Sequence, residues 1–123
     1  MGKGGFQSLK VWQKSRELAV HIYQITNEGA FNKDFGLRDQ IRRAVISIAS
    51  NIAEGDERET DKEAVRYFYI AKGSSAEVLT HIIIAYDVGY LQQEIFKELE
   101  QRCIDISSML SKLISARSKT FRP

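Results

Sequence analysis

The only proline in this chain is Pro123, its last residue, so no imposed break falls between the termini. Proline locks φ and removes an amide donor, and a chain free of it can run long helices without kinks. Between Leu37 and Tyr90 the other breaker is sparse too, with Gly55, Gly73 and Gly89 alone. Apolar residues recur at spacings of four and three, which is the signature of amphipathic helices. A first helix is expected over Leu9 to Thr26 on Val11, Ser15, Leu18, Ile22 and Ile25, with Ser8 as its N-cap. Residues 27–36 read as a loop whose Phe31 and Phe35 fold back to seal one end. A second helix starts at Leu37, uses Ile41, Ala44, Ile48 and Ile52, and stops at the breaker Gly55.

Thr60-Asp61-Lys62-Glu63 has the form of a capping box, in which the threonine accepts from the third helical amide and the glutamate reaches back. The third helix it opens extends to about Val88, and Gly89-Tyr90-Leu91 is the next turn. The fourth helix spans Gln93 to Arg117 on the row Ile95, Leu99, Arg102, Ile106, Leu110, Leu113 and Arg117. Short connections favour antiparallel neighbours, so the expected fold is all-α, an antiparallel up-down-up-down four-helix bundle. It occupies residues 1–123 as a single domain, with 1–8 a flexible N-terminus and 118–123 a flexible basic tail. The apolar fraction of 43% suffices for one modest core. A lone cysteine, Cys103, leaves no intrachain disulfide and suits a reducing compartment. No run is apolar enough for a membrane span or a signal peptide, and a soluble, cytoplasmic protein is expected.

Charge is balanced overall, at +2, but not along the chain. The first fifty residues hold 8 Lys/Arg against 4 Asp/Glu, the next fifty 5 against 11, and residues 101–123 hold 5 against the single acid Asp105. Bundle topology brings Lys10, Lys14, Lys112, Arg117, Lys119 and Arg122 to the same end as the acidic turn Glu54, Asp56, Glu57, Glu59 and Asp61, so the two clusters can offset each other. The same basic residues, with Lys3, suit contacts to a phosphate backbone without sequence readout; Trp12 and Phe121 are candidate stacking aromatics, although Trp12 reads first as a core residue. Arg38 and Arg42, one turn apart, form a second candidate pair for phosphate.

The third helix carries more apolar surface than one bundle needs. Beside its core row of Ala64, Phe68, Ala71, Ser75, Val78, Ile82, Ala85 and Gly89 lies a second row of Val65, Tyr69, Lys72, Ala76, Leu79, Ile83, Tyr86 and Tyr90. Two adjacent rows exceed the usual stripe of a surface helix, and soluble monomers rarely leave so much contiguous apolar area wet. Val65, Tyr69, Ala76, Leu79, Ile83, Tyr86 and Tyr90 are therefore candidates for a homo-oligomer interface, where Gly73, Ser74, Ser75 and Ala76 would allow close helix approach.

Catalytic chemistry finds no constellation. Arg43 and Glu77 fall opposite one another on antiparallel helices and read as a structural polar pair. Glu17/His21 and Glu77/His81 lack the Glu-x-x-His spacing of metal-binding bundles, so no metal is expected. Cys103 and the serines of the fourth helix have no partnered base, and no Gly-rich loop follows a strand. No catalytic residue and no cofactor is expected.

Leu9-Lys10-Val11-Trp12-Gln13, Ile22-Tyr23-Gln24-Ile25-Thr26, Phe35-Gly36-Leu37 with Gln40-Ile41-Arg42-Arg43, Ser47-Ile48 with Asn51-Ile52-Ala53-Glu54-Gly55, and Ala71-Lys72-Gly73-Ser74 with Glu77 carry a resemblance over about the first 91 residues. They resemble the small four-helix-bundle family encoded in intervening sequences of bacterial 23S ribosomal RNA genes. The resemblance implies a left-handed bundle assembling into a ring, most often a homopentamer. It also implies similarity to the accessory bundle proteins of diversity-generating retroelements, which look like basic partners of a reverse transcriptase and nucleic acid. It implies no enzymatic activity. The function expected is thus a non-enzymatic oligomeric scaffold binding RNA or an RNA-processing protein through a basic rim, or else an oligomeric protein adaptor with no nucleic-acid role.

Overall fold

The structure, a computed structural model, describes residues 5–122; Lys3 and the extreme ends of both expected flexible segments lie outside the described residues. A 3-10 turn at Gly5–Ser8 is followed by α1 (Lys10–Thr26), α2 (Gly29–Lys33), α3 (Phe35–Asp56), α4 (Asp61–Asp87) and α5 (Gln93–Ser118). Among the described residues there is no strand, and the four long helices pack together.

Helix termini show where local chemistry decided the boundary. Thr60 Oγ1 accepts from the Glu63 amide at 3.2 Å, which starts α4. Glu63 does not reach the Thr60 amide; its carboxylate instead receives the threonine hydroxyl at 3.4 Å. At the other end Gly89 adopts φ +88°, its amide bonds to Tyr86 O, and the Tyr90 amide bonds to Ala85 O, the paired bonds of a Schellman stop. Ser8 is not the N-cap of α1. Leu9 holds that position without a side-chain cap, because Ser8 Oγ is turned back to Gly5 O at 2.8 Å. The expected loop at 27–36 contains the short helix α2 and, at Asp34, the cap of α3, whose Oδ1 accepts from the Leu37 amide at 3.1 Å.

Two aromatic rings were expected to seal that end, and one does. Phe31 is buried against Tyr90, with ring centroids 5.4 Å apart. Phe35 is 65% exposed, its ring under the Arg38 guanidinium at 4.8 Å. Tyr90 Oη donates to the second oxygen of Asp34 at 2.9 Å, tying the start of α3 to the end of α4. That acceptor raises the tyrosine pKa above its ordinary value.

The core is built from Leu18 and Ile22 of α1, Ile41, Ile48 and Ile52 of α3, Phe68, Val78 and Ile82 of α4, and Leu99, Ile106 and Leu110 of α5, all essentially inaccessible. On α5 the inward row is Phe96, Leu99, Cys103, Ile106, Leu110 and Ile114. Ile95, expected inward, is 38% exposed, and Arg102 and Leu113 are only half-buried. Both rows share Leu99, Ile106 and Leu110, and rotating the helix toward the second buries one more aromatic ring while freeing a charge, which hydrophobic burial favours. Contacts between α3 and α4 advance along one helix as they retreat along the other: Arg43 with Glu77, Ser47 with Ser74 at 2.9 Å, Gly55 beside Ala64 and Phe68. Gly55 lies within the last turn of α3, so it does not break the helix as expected; it lets the helices touch. α1 packs mainly on α3 and only lightly on α5. An open cleft along the α1–α5 seam results.

Candidate functional site

Three surfaces gather the polar and apolar residues that packing alone does not use. The first is a polar seam between α3 and α4. Arg43 Nη2 donates to Glu77 Oε2 and to Gln40 Oε1, and Asn51 Nδ2 donates to Ser47 Oγ, which pairs with Ser74. His81 Nε2 lies 4.0 Å from Glu77, and its Nδ1 is buried without a hydrogen-bond partner among the described residues. Burial disfavours the imidazolium and outweighs the attraction of Glu77, with Arg43 adding repulsion, so the His81 pKa lies below its ordinary 6.5.

A histidine held neutral gives stability that is full above the unfolded value and is lost as pH falls from 6.5 through the lower folded value. The thermal midpoint should therefore fall between about pH 7 and pH 5, and His81→Gln should remove that part of the slope. An identical slope in the variant would assign the effect to another group. Arg43 is more than half exposed, so the pair itself contributes little beyond register.

The second surface holds the basic residues. Lys10, Lys14 and Lys112 line one cavity of about 470 Å³ between α1 and α5, together with Arg102, Asp105, Ile106 and Met109. A second, open cavity of about 770 Å³ lies over the outer face of α1, lined by Trp12, Arg16, Val20 and His21 with Arg102 its one residue from α5. Arg117 does not join them: Nη2 meets Asp56 at 2.7 Å and Nη1 meets Asp61 at 3.2 Å, fixing α5 to both ends of the α3–α4 turn. Lys119 and Arg122 stand exposed beyond α5. Arg38 donates to Asn32 O and Oδ1, and Arg42 donates to Thr26 Oγ1 at 2.8 Å while its guanidinium covers Tyr23 at 4.7 Å. Both are thus engaged in holding α3 to the segments before it, away from the cleft. Arg102 is the cleft cation that sequence reasoning missed. Its signal is a charge standing between Leu99 and Ile106 inside an apolar row.

The third surface is the outer face of α4. Of its expected interface residues, Tyr69, Ala76 and Ile83 are exposed and Leu79 is half-buried. Val65, Tyr86 and Tyr90 also make contacts within the chain: Val65 is buried, Tyr86 stacks on Phe96 at 4.3 Å, and Tyr90 packs on Phe31. The outward row is completed by Ile70, Ile84 and Val88, 52%, 44% and 56% exposed.

Nothing in these surfaces assembles a nucleophile with a base. The Cys103 thiol is buried and pushed up to about 12, chiefly by desolvation, far from a reactive thiolate. Among the described residues no cluster of His, Cys, Asp or Glu could hold a metal ion, and no helix is long and apolar enough to cross a membrane.

The model of a family described as 23S rRNA-intervening sequence protein matches residues 7–112. A crystal structure of a protein of unknown function from the S23 ribosomal protein family of Bacteroides thetaiotaomicron superposes with a TM-score of 0.78 at 24% identity, covering 85% of this chain and 97% of that one. That likeness shows the fold. No curated protein matches the chain.

Proposed function

This chain belongs to the 23S rRNA-intervening sequence protein family, and from that premise we propose that it is a non-catalytic, self-associating helical scaffold presenting a basic surface to RNA or to an RNA-processing protein. In this reading α1, α3, α4 and α5 run up-down-up-down with a left-handed twist, the chain is one domain, and copies close into a ring, five being the number the resemblance favours.

One observation carries the self-association. The outer face of α4 leaves Tyr69, Ile70, Ile83, Ile84 and Val88 between 40% and 56% exposed on a single helix. At its centre a Cβ built on Gly73 would meet nothing within 4 Å. A mid-helix glycine weakens a helix by about 0.5–1 kcal/mol relative to alanine, and nothing within the chain requires it. An approaching helix from another copy would.

Light scattering should give a mass of several chains, and Ile83→Glu should reduce it to one while leaving the helical content intact. A wild-type mass of one chain would sink the scaffold reading. The protein-binding adaptor remains the second reading, favoured by Glu57 and Glu59, exposed at the α3–α4 turn and without ion pairs among the described residues. Retention of RNA at low salt separates the two.

A further inference from the structure

We propose that self-association through the outer face of α4 is weakened by protonation of His81, which turns the neutral cluster of Arg43, Glu77 and His81 on that face into a positively charged one. The inference rests on the self-association half of the proposed function and supplies its regulation: copies assemble at neutral pH and separate in mild acid.

Helical spacing puts the cluster where a second copy would pack. Glu77 lies four residues after Gly73 and seven from both Ile70 and Ile84, so the four share one stripe of α4. Ile70 and Ile84 are exposed, and Gly73 faces open space. Between Arg66 and Asp87, Lys72 and Glu77 are the only ammonium and carboxylate groups on the helix. Lys72 belongs to the row whose Tyr86 stacks on Phe96 of α5, which leaves Glu77 as the charge within the stripe. Arg43 of α3 meets it, its Nη2 donating to Glu77 Oε2 and to Gln40 Oε1. A paired acid adds no net charge, so a second copy covers a desolvated ion pair rather than a bare ion.

His81 is the group that upsets this balance. It stands one turn beyond Glu77, with Nε2 4.0 Å from Oε2, 14% of its side chain exposed, and Nδ1 buried without a hydrogen-bond partner among the described residues. The charges that act on it are Glu77 from its own helix and Arg43 from α3. The other acids at that end of α3 are taken: Asp39 by Arg38 at 3.0 Å, and Asp34 by the Leu37 amide and Tyr90. α5 packs on another flank of α4, through Ser75 and Tyr86. Neutral, the imidazole leaves Arg43 and Glu77 to each other. Protonated, it carries hydrogen on both nitrogens, so Nδ1 becomes a buried donor without an acceptor, and one carboxylate serves two cations. The ring escapes only by turning outward to water, across the stripe that a second copy must cover. Either way the face gains a net positive charge, and covering an unbalanced ion costs far more than covering a pair. Burial holds the His81 pKa below 6.5, so the neutral form prevails at neutral pH and the switch acts in the acid range.

The test measures the mass of the intact protein by light scattering at about pH 7.5 and about pH 5, with circular dichroism confirming that the helices persist. Assembly excludes one proton per contact, so each contact should weaken by up to about tenfold per pH unit below the His81 pKa, and the mass should fall toward one chain in acid. His81→Gln, which cannot be charged, should hold its mass at both values. The coupling is reciprocal, so the His81 imidazole, followed by NMR, should titrate at higher pH in Ile83→Gln diluted to single chains than in the wild-type assembly. That comparison decides the matter even where His81→Gln fails to fold. A wild-type mass of several chains at both values, a fall shared by His81→Gln, or equal titration in the two proteins would overturn the switch and leave self-association standing. A wild-type mass of one chain at neutral pH would overturn self-association and the switch with it.

Discussion

Replacing Phe68 with alanine should lower the unfolding free energy by about 3–5 kcal/mol, a large part of the margin of a domain this size. The ring is fully buried on α4, facing the last turn of α3. One edge meets the site of a Gly55 Cβ at 2.8 Å, and the Arg117 guanidinium lies over the ring at 5.5 Å. Truncation therefore opens a cavity and also removes the platform that aims Arg117 at Asp56 and Asp61. Because α3 and α4 are held apart by backbone as well as side chains here, the space cannot close fully, which puts the loss at the upper end of large-to-small changes. Urea unfolding would measure it, with Phe68→Leu falling between. A loss below about 1 kcal/mol would mean the end of the bundle collapses freely around the gap.

Most of this architecture is legible from residue spacing. The row Ala64, Phe68, Ala71, Ser75, Val78, Ile82 and Ala85 is buried along α4, while its expected last member, Gly89, is exposed beyond the helix end, and Thr60 caps that helix. Those features are local: a four-three pattern and a threonine before it dictate their own geometry. The register of α5 is not local. Rows through Ile95 and through Phe96 are equally periodic, and only the light packing of α1 on α5 decides that Arg102 faces a cleft. The same reason hid the cleft's cations, since which charges line a seam depends on how closely two distant helices approach. Charge cancellation was partly readable, and Arg117 meets Asp56 and Asp61 within one chain. Arg38 and Arg42 escaped because their partners, Asn32, Thr26 and Tyr23, lie in and before the segment read as loop.

The glycines of α3 and α4 separate what the bundle needs from what an assembly would need. Gly55→Val should cost about 3 kcal/mol, the upper end of overpacking penalties. A Cβ there would stand 2.8 Å from Phe68 Cε1, 2.9 Å from Tyr67 Cβ and 3.0 Å from the Ala64 carbonyl oxygen. The last is backbone of α4 and cannot swing aside, so relief requires the two helices to separate and the core between them to loosen. Gly73 differs in every respect: it sits mid-helix, exposed, with open space where its side chain would be. Gly73→Ala should raise the intrinsic stability of one chain by about 0.5–1 kcal/mol through the unfolded state and helix propensity. If another copy packs on this face, the same methyl should reduce the mass measured by light scattering at equal concentration. Stability that rises while association falls is an outcome intrachain packing cannot produce; a rise in stability with no change in mass would place the interface elsewhere than the centre of α4.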